Sequence, residues 1–188
     1  MNLRKIHSIL GLMLVIPILG WVMTGMIFIF KPGYDDAYQQ LTPKLYSIEQ
    51  YDFTIPADKW REVRVVKSIL GKHILVKEEH QWLHLNEVSF QPMPMPSVEE
   101  QILFLSDAIS SNIERYGVIE EGREGLYMTS TGVELSLNWN TLSIYQSGDD
   151  TRLINLFYKI HYLQWLGNKK ANIALAVIVL SLLILLIC

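Results

Sequence analysis

Two stretches of the 188-residue chain, 8–30 and 171–188, contain no charged side chain, and these runs constrain its folding more than any other feature. A helix needs roughly 20 apolar residues to cross the hydrocarbon layer of a bilayer. The first run, "SILGLMLVIPILGWVMTGMIFIF", has 23 residues; the second, "ANIALAVIVLSLLILLIC", has 18 and reaches Cys188. The apolar region of a secretory signal is shorter, about 7–15 residues, and is followed by a small-residue cleavage site. Here "KPGYDD" follows instead. The runs predict a retained signal anchor and a two-span membrane protein. Its segments are an N-terminus over 1–7, a transmembrane helix over 8–30, an outer domain over 31–170 and a second transmembrane helix over 171–188.

Arg4, Lys5 and the terminal amine precede the first span and argue for a cytoplasmic N-terminus, because basic residues stay on the cytoplasmic side. Lys31, Lys169 and Lys170 pull the other way, but long loops translocate largely regardless of charge and the first helix usually dominates. The expected placement is a bacterial inner membrane with the central domain in the periplasm. The stretch 31–166 holds all 19 acidic residues and 12 of the 16 Lys and Arg, a net charge of −7. That balance disfavours nucleic acid, whose binding depends on neutralising phosphates. The lone cysteine excludes an intramolecular disulfide.

Pro17 interrupts the first span and predicts a kink. Gly20 and Thr24, with Gly25 beside them, make a small-xxx-small stripe of the kind that lets membrane helices approach closely. These three are the expected helix-packing residues, with Trp21 lying between them and away from either interface. After a helical or irregular stretch to about residue 58, "REVRVVKSIL", "KHILVKE" and "QWLHLN" read as strands joined in hairpins. "PMPMP" breaks the sheet. Ser97 and Glu100 form a capping box ahead of Val98, Ile102, Leu105 and Ile109, which share one helical face and predict a helix over 97–114. "GLYMTS", "VELSLN" and "LSIYQ" supply further strands, and Val133, Leu135, Leu137 and Trp139 alternate as one buried face requires. Asp149 or Asp150 offers an N-cap for an interfacial helix over 151–166. Strands, helix, strands, helix: the fold class is α+β with an antiparallel sheet and covering helices.

This order of elements resembles the PepSY-associated transmembrane family of bacterial inner-membrane proteins. The resemblance rests on "RKIHSILGL" opening the first span, on "VKSILGKHILVKEEHQWLHLN" followed by a Pro-bounded helix, and on "LSIYQSGDDTRLINLFYKIHYLQWLG" leading into the last span. It implies a periplasmic PepSY-like module held between membrane helices. Larger relatives with four or so helices include ferric-siderophore reductases in which histidines at helix ends ligate haem b.

The tripeptide "KIH" stands before both apolar segments, ending in His7 and His161. Imidazole is a frequent axial ligand of haem iron, and ionisable groups at membrane spans are functional candidates. Yet two spans put these histidines on opposite faces, roughly 30 Å apart. Each would need its own haem, completed by a second subunit or a membrane partner. The alternative is an interfacial role with Tyr158, Tyr162 and Trp165 as an aromatic belt.

Other candidates carry less chemistry. His80 and His84 in "HQWLH" lie four residues apart in a strand, about 13 Å, too far for one metal; half-exposed strand positions account for them. His73 has no evident partner in the sequence. Met93 and Met95 suit Cu(I) but are explained by a Pro-rich linker. Glu114, Glu120, Glu121 and Glu124 read as a solvated acidic loop. No nucleophile elbow, P-loop or dinucleotide fingerprint is present. The expected function is therefore non-catalytic: a bilayer-anchored protein, homo-oligomeric or joined to a membrane partner, whose outer domain binds a protein or peptide. A haem b electron-transfer subunit and a periplasmic peptidase inhibitor are the alternatives that the resemblance implies.

Overall fold

Two kinds of sequence build two separate units, one from Met1–Asp35 with Asp150–Cys188 and one from Asp36–Asp149. The computed structural model describes residues 3–49, 60–123 and 125–187. Part of the stretch read as helical or irregular before residue 58, together with Glu124 and Cys188, lies outside them. In chain order the elements are α1 (Leu3–Phe30), α2 (Tyr34–Ala37), β1 (Glu62–Ser68), β2 (Gly71–Glu78), β3 (Gln81–Leu85), α3 (Val98–Ile109) and α4 (Ile113–Tyr116). They continue with β4 (Ile119–Arg123), β5 (Leu126–Thr129), β6 (Glu134–Asn138), β7 (Ser143–Ser147), α5 (Asp149–His161) and α6 (Lys169–Ile187). The chain is thus a mixed α+β protein with an apolar helix at each end and two antiparallel sheets.

In the terminal unit, α1 runs on through Pro17 as one helix, and α1 and α6 are both long and apolar enough to cross a membrane by length and composition. Leu14, Leu163 and Val179 are buried together, with Ile18, Trp21, Leu175 and Leu182 against them. The helix expected over 151–166 stops at His161. Leu163 (φ 53°) and Gly167 (φ 63°) are left-handed, so the chain turns there before α6 begins at Lys169.

In the central unit, β1–β2–β3 form one meander and β4–β5–β6–β7 another. The register pairs Val66 with His73 and Leu75 with His84. Because side chains alternate along a strand, Val66, His73, Leu75, Trp82 and His84 share one face. That face belongs to the main core with Phe104 and Leu105 of α3 and Tyr127, Leu135, Leu137, Trp139 and Ile144 of the second sheet. Val133, Leu135, Leu137 and Trp139 are all buried, as their alternation requires.

The capping box of α3 is complete: Ser97 Oγ accepts the Glu100 N–H at 3.2 Å, and the Glu100 carboxylate accepts the Ser97 N–H at 2.8 Å. The buried stripe is Gln101, Phe104, Leu105, Ala108 and Ile109, with Val98 at the exposed margin. The expected helix to residue 114 breaks after Ile109. Asn112 Oδ1 takes the Arg115 N–H and starts α4, and Gly117 ends it at φ 62°. A Cβ there would stand 2.1 Å from Ser130 Oγ, so that turn needs glycine. The acidic stretch read as a loop contains β4, whose side chains are nearly all exposed.

Candidate functional site

The stripe Ile154, Tyr158 and His161 recurs at i, i+4 and i+7 along α5, which puts it on one helical face. That face meets the second half of α1. Phe28 stacks on Tyr158 with centroids 4.6 Å apart and meets the His161 ring edge-on at 5.0 Å. Ile160 lies where a Cβ on Gly20 would reach its Cγ2 at 3.3 Å. A helix end leaves its last carbonyls without partners. Here two indoles supply them: Trp21 Nε1 donates to His161 O at 2.8 Å, and Trp165 Nε1 donates to Ile160 O at 3.1 Å. Trp21, placed mid-span by the sequence, is therefore part of the seam.

Thr24 is buried and organises the centre of this seam. Its hydroxyl carries one proton, which goes to Gly20 O at 2.5 Å. The same oxygen then accepts from His161 Nδ1 at 2.9 Å. The His161 ring is thereby held through Nδ1 with Nε2 outside that bond, the arrangement in which a ring can ligate a metal while its other nitrogen is held in place. Among the described residues this group offers a single axial ligand, His161. His7 is exposed on α1, and Thr24 stands seventeen positions further along, about 25 Å of helix. Gly20, Thr24 and His161 are brought together; His7 and Gly25, whose Cβ position is open, are not part of the group.

A second group of polar rings lies in the central unit, where sequence reasoning missed it. His73 and His84 are both buried, at 0% and 2% exposure, so His84 is not the half-exposed strand residue expected and His73 does have a partner. Their nitrogens form one chain: Ser68 Oγ to His73 Nε2 at 2.6 Å, His73 Nδ1 to His84 Nε2 at 3.0 Å, His84 Nδ1 to Trp139 O at 2.9 Å. A carbonyl only accepts, so His84 Nδ1 carries a proton. A neutral His84 then accepts at Nε2, which places the His73 proton on Nδ1 and leaves its Nε2 to accept from the Ser68 hydroxyl. Ser68 Oγ in turn accepts the Leu70 N–H at 3.0 Å. Every polar atom is used, in one direction, with both rings neutral.

The energetics agree with the geometry. Burial first, and then the neighbouring His84 ring, push His73 from the ordinary 6.5 down to about 4. Burial also lowers His84, partly offset by its bond to the Trp139 carbonyl. The Trp139 ring lies 4.5 Å from His84 and meets His73 edge-on at 5.4 Å. The signal available in the sequence was the hairpin register. With Glu78 opposite Gln81, His84 faces Leu75 and comes diagonal to His73 on the apolar side.

Among the described residues no group of three or more His, Cys, Asp or Glu stands close enough to hold a metal ion. His80 lies in the β2–β3 turn and is exposed, apart from His84. Met93 joins the margin of the main core. No protein-family model, curated protein or solved structure matches this chain.

Proposed function

We propose that this is a membrane-anchored, PepSY-like protein whose central unit binds a partner protein or peptide without acting on it chemically. The two apolar helices favour the membrane, since Leu12, Ile16 and Ile29 on α1 are all more than 70% exposed and need a hydrocarbon solvent. Arg4 and Lys5 favour an N-terminus in the cytoplasm and a central unit in the periplasm.

One observation carries the binding role: on the outer face of the second sheet, large apolar side chains stand exposed among polar and charged ones. Leu126, Ser136 and Tyr145 align across β5, β6 and β7, with Leu126 46% and Tyr145 62% exposed. Beside them a cleft of about 450 Å³ is lined by Glu121, Arg123, Leu126, Met128 and Glu134. β4 forms one edge of this sheet, and a sheet edge can accept an extended segment through backbone hydrogen bonds. Exposed apolar side chains rimmed by charge mark interaction surfaces. Residues 36–149 hold nine Lys and Arg against seventeen acids, net −8, which suits a cationic partner. Photo-crosslinking from Tyr145 of the full-length protein in its native membrane tests this. The expected result is one discrete adduct, lost on Leu126→Glu; a folded protein that gives only diffuse, unchanged labelling rejects the surface.

A second reading, a haem b electron-transfer subunit, is favoured by the Thr24–His161 bond, which leaves Nε2 to the iron. Bound there, haem would supply one-electron chemistry. This chain would contribute His161, held by Thr24 and walled by Phe28 and Tyr162. A second ligand would come from another subunit. A reduced-minus-oxidised spectrum with a b-type signal that disappears in His161→Ala supports it; haem-replete protein without a Soret band removes it.

A further inference from the structure

Next to the histidine seam, with which it shares Tyr162, a cleft of about 420 Å³ opens between the turn after α5 and the first two turns of α6. Tyr162, Gln164, Lys169, Asn172, Ile173 and Ala176 line it. Lys169, Asn172, Ile173 and Ala176 stand at i, i+3, i+4 and i+7, one stripe down the helix. The stripe changes character along its length, from ammonium and amide to isoleucine and alanine, and the chain beyond stays uncharged. Seven residues of helix cover about 10 Å, enough to pass from the roughly 5–8 Å headgroup layer into hydrocarbon.

The polar end is set up for an anion. Among the described residues Lys169 has no carboxylate within ion-pair distance, and Lys170 adds a second charge beside it. The anion would be held by side chains, because Asn168 Oδ1 already accepts the N–H groups of Lys170 and Ala171 at 2.9 and 3.3 Å. Asn172 Oδ1 takes the Leu166 N–H at 2.9 Å, which leaves the amide NH2 of Asn172 to donate. The apolar end selects against a soluble anion, since Ile173 is 56% exposed and gains nothing from inorganic phosphate. The small Ala176 side chain leaves room along the helix for a chain of methylenes.

We propose that this cleft seats one anionic phospholipid, its phosphate at Lys169, Gln164 and Asn172 and its first methylenes along Ile173 and Ala176. The assignment rests on the membrane reading above. The test uses the full chain in nanodiscs of equal phosphatidylglycerol and phosphatidylcholine, with retained lipid counted by native mass spectrometry. Phosphatidylglycerol should be retained preferentially, and Lys169→Gln should lower that preference roughly fivefold, the effect of one cation at an anionic surface. Lys169→Arg should keep it, and Ala176→Leu should reduce retention by filling the groove. Lys31→Gln, a cation outside the cleft, should change it little. Equal retention of both lipids overturns the proposal, as does an equal effect of Lys31→Gln. Competition by millimolar inorganic phosphate with no effect of Ala176→Leu would assign the site to a soluble anion and overturn the lipid. Alkaline carbonate extraction separates the two levels: release of the chain removes the membrane reading itself, whereas retention without lipid preference removes only the seat.

Discussion

In the central unit two imidazoles are used up by each other and by a serine and a carbonyl; in the terminal unit one imidazole is engaged on one side only. His73 and His84 lie in a core where an unmade hydrogen bond carries its full desolvation cost, and all their nitrogens are paired. His161 is held by Thr24 at Nδ1, and among the described residues its Nε2 has no hydrogen-bond partner. The difference teaches where chemistry can be sought. A saturated polar chain stabilises and specifies a fold, while a half-used ring held in place by its neighbour retains capacity to bind.

The largest effect should come from cutting the saturated chain. His84→Ala leaves His73 Nδ1–H and Trp139 O without partners and opens a cavity, for a loss of about 3–5 kcal/mol. Urea titration of the full chain in detergent measures it, and a loss under 1 kcal/mol would show that the pair is not buried as described.

Acid should act on the same pair with nearly the same size. His73 titrates at about 4 in the folded protein, against about 6.5 in the unfolded chain. Between those values the unfolded state binds more protons, so stability is full above about pH 6.5 and falls by roughly 3 kcal/mol as the pH drops to 4. The lowered His84 contributes with the same sign. Denaturation midpoints at stepped pH should show this slope, and His73→Phe should flatten it.

A smaller loss is expected at Gly122, opposite Tyr127 in the β4–β5 pair. A Cβ there would come within 2.0 Å of the Tyr127 ring, whose hydroxyl donates to buried Gln101 at 2.7 Å. Gly122→Ala should cost about 2 kcal/mol through that displaced ring. The same urea titration detects it, and a neutral outcome would mean that the ring has room to move.

In the terminal unit the effects should be smaller, because hydrogen bonds between membrane helices are worth about 0.6 kcal/mol on average. Trp21→Phe and Thr24→Val should each lower thermal stability in detergent by about 1 kcal/mol or less. Gly20→Ala should cost a few tenths more than Gly25→Ala, since only the first meets Ile160. Equal effects at the two glycines would remove Gly20 from the seam.

Much of the fold was legible. The charge-free runs gave the terminal helices, the capping box gave the start of α3, and the alternation of Val133, Leu135, Leu137 and Trp139 gave a buried strand face. Strand β4 was not, because "IEEGR" lacks apolar alternation and forms only through pairing with β5. The candidate sites divide the same way. His161 drew attention by its place before an apolar run, yet the Trp21 indole that donates to its carbonyl and the Thr24 hydroxyl that holds its ring come from residues about 140 positions away.

Local pattern thus determined which segments are helices and strands, because hydrophobic period and capping act over a few residues. Tertiary structure alone decided which nitrogens are saturated and which are left over. Hydrogen bonding depends on ångström-scale placement of distant groups, and no spacing in one chain encodes that His73 meets His84.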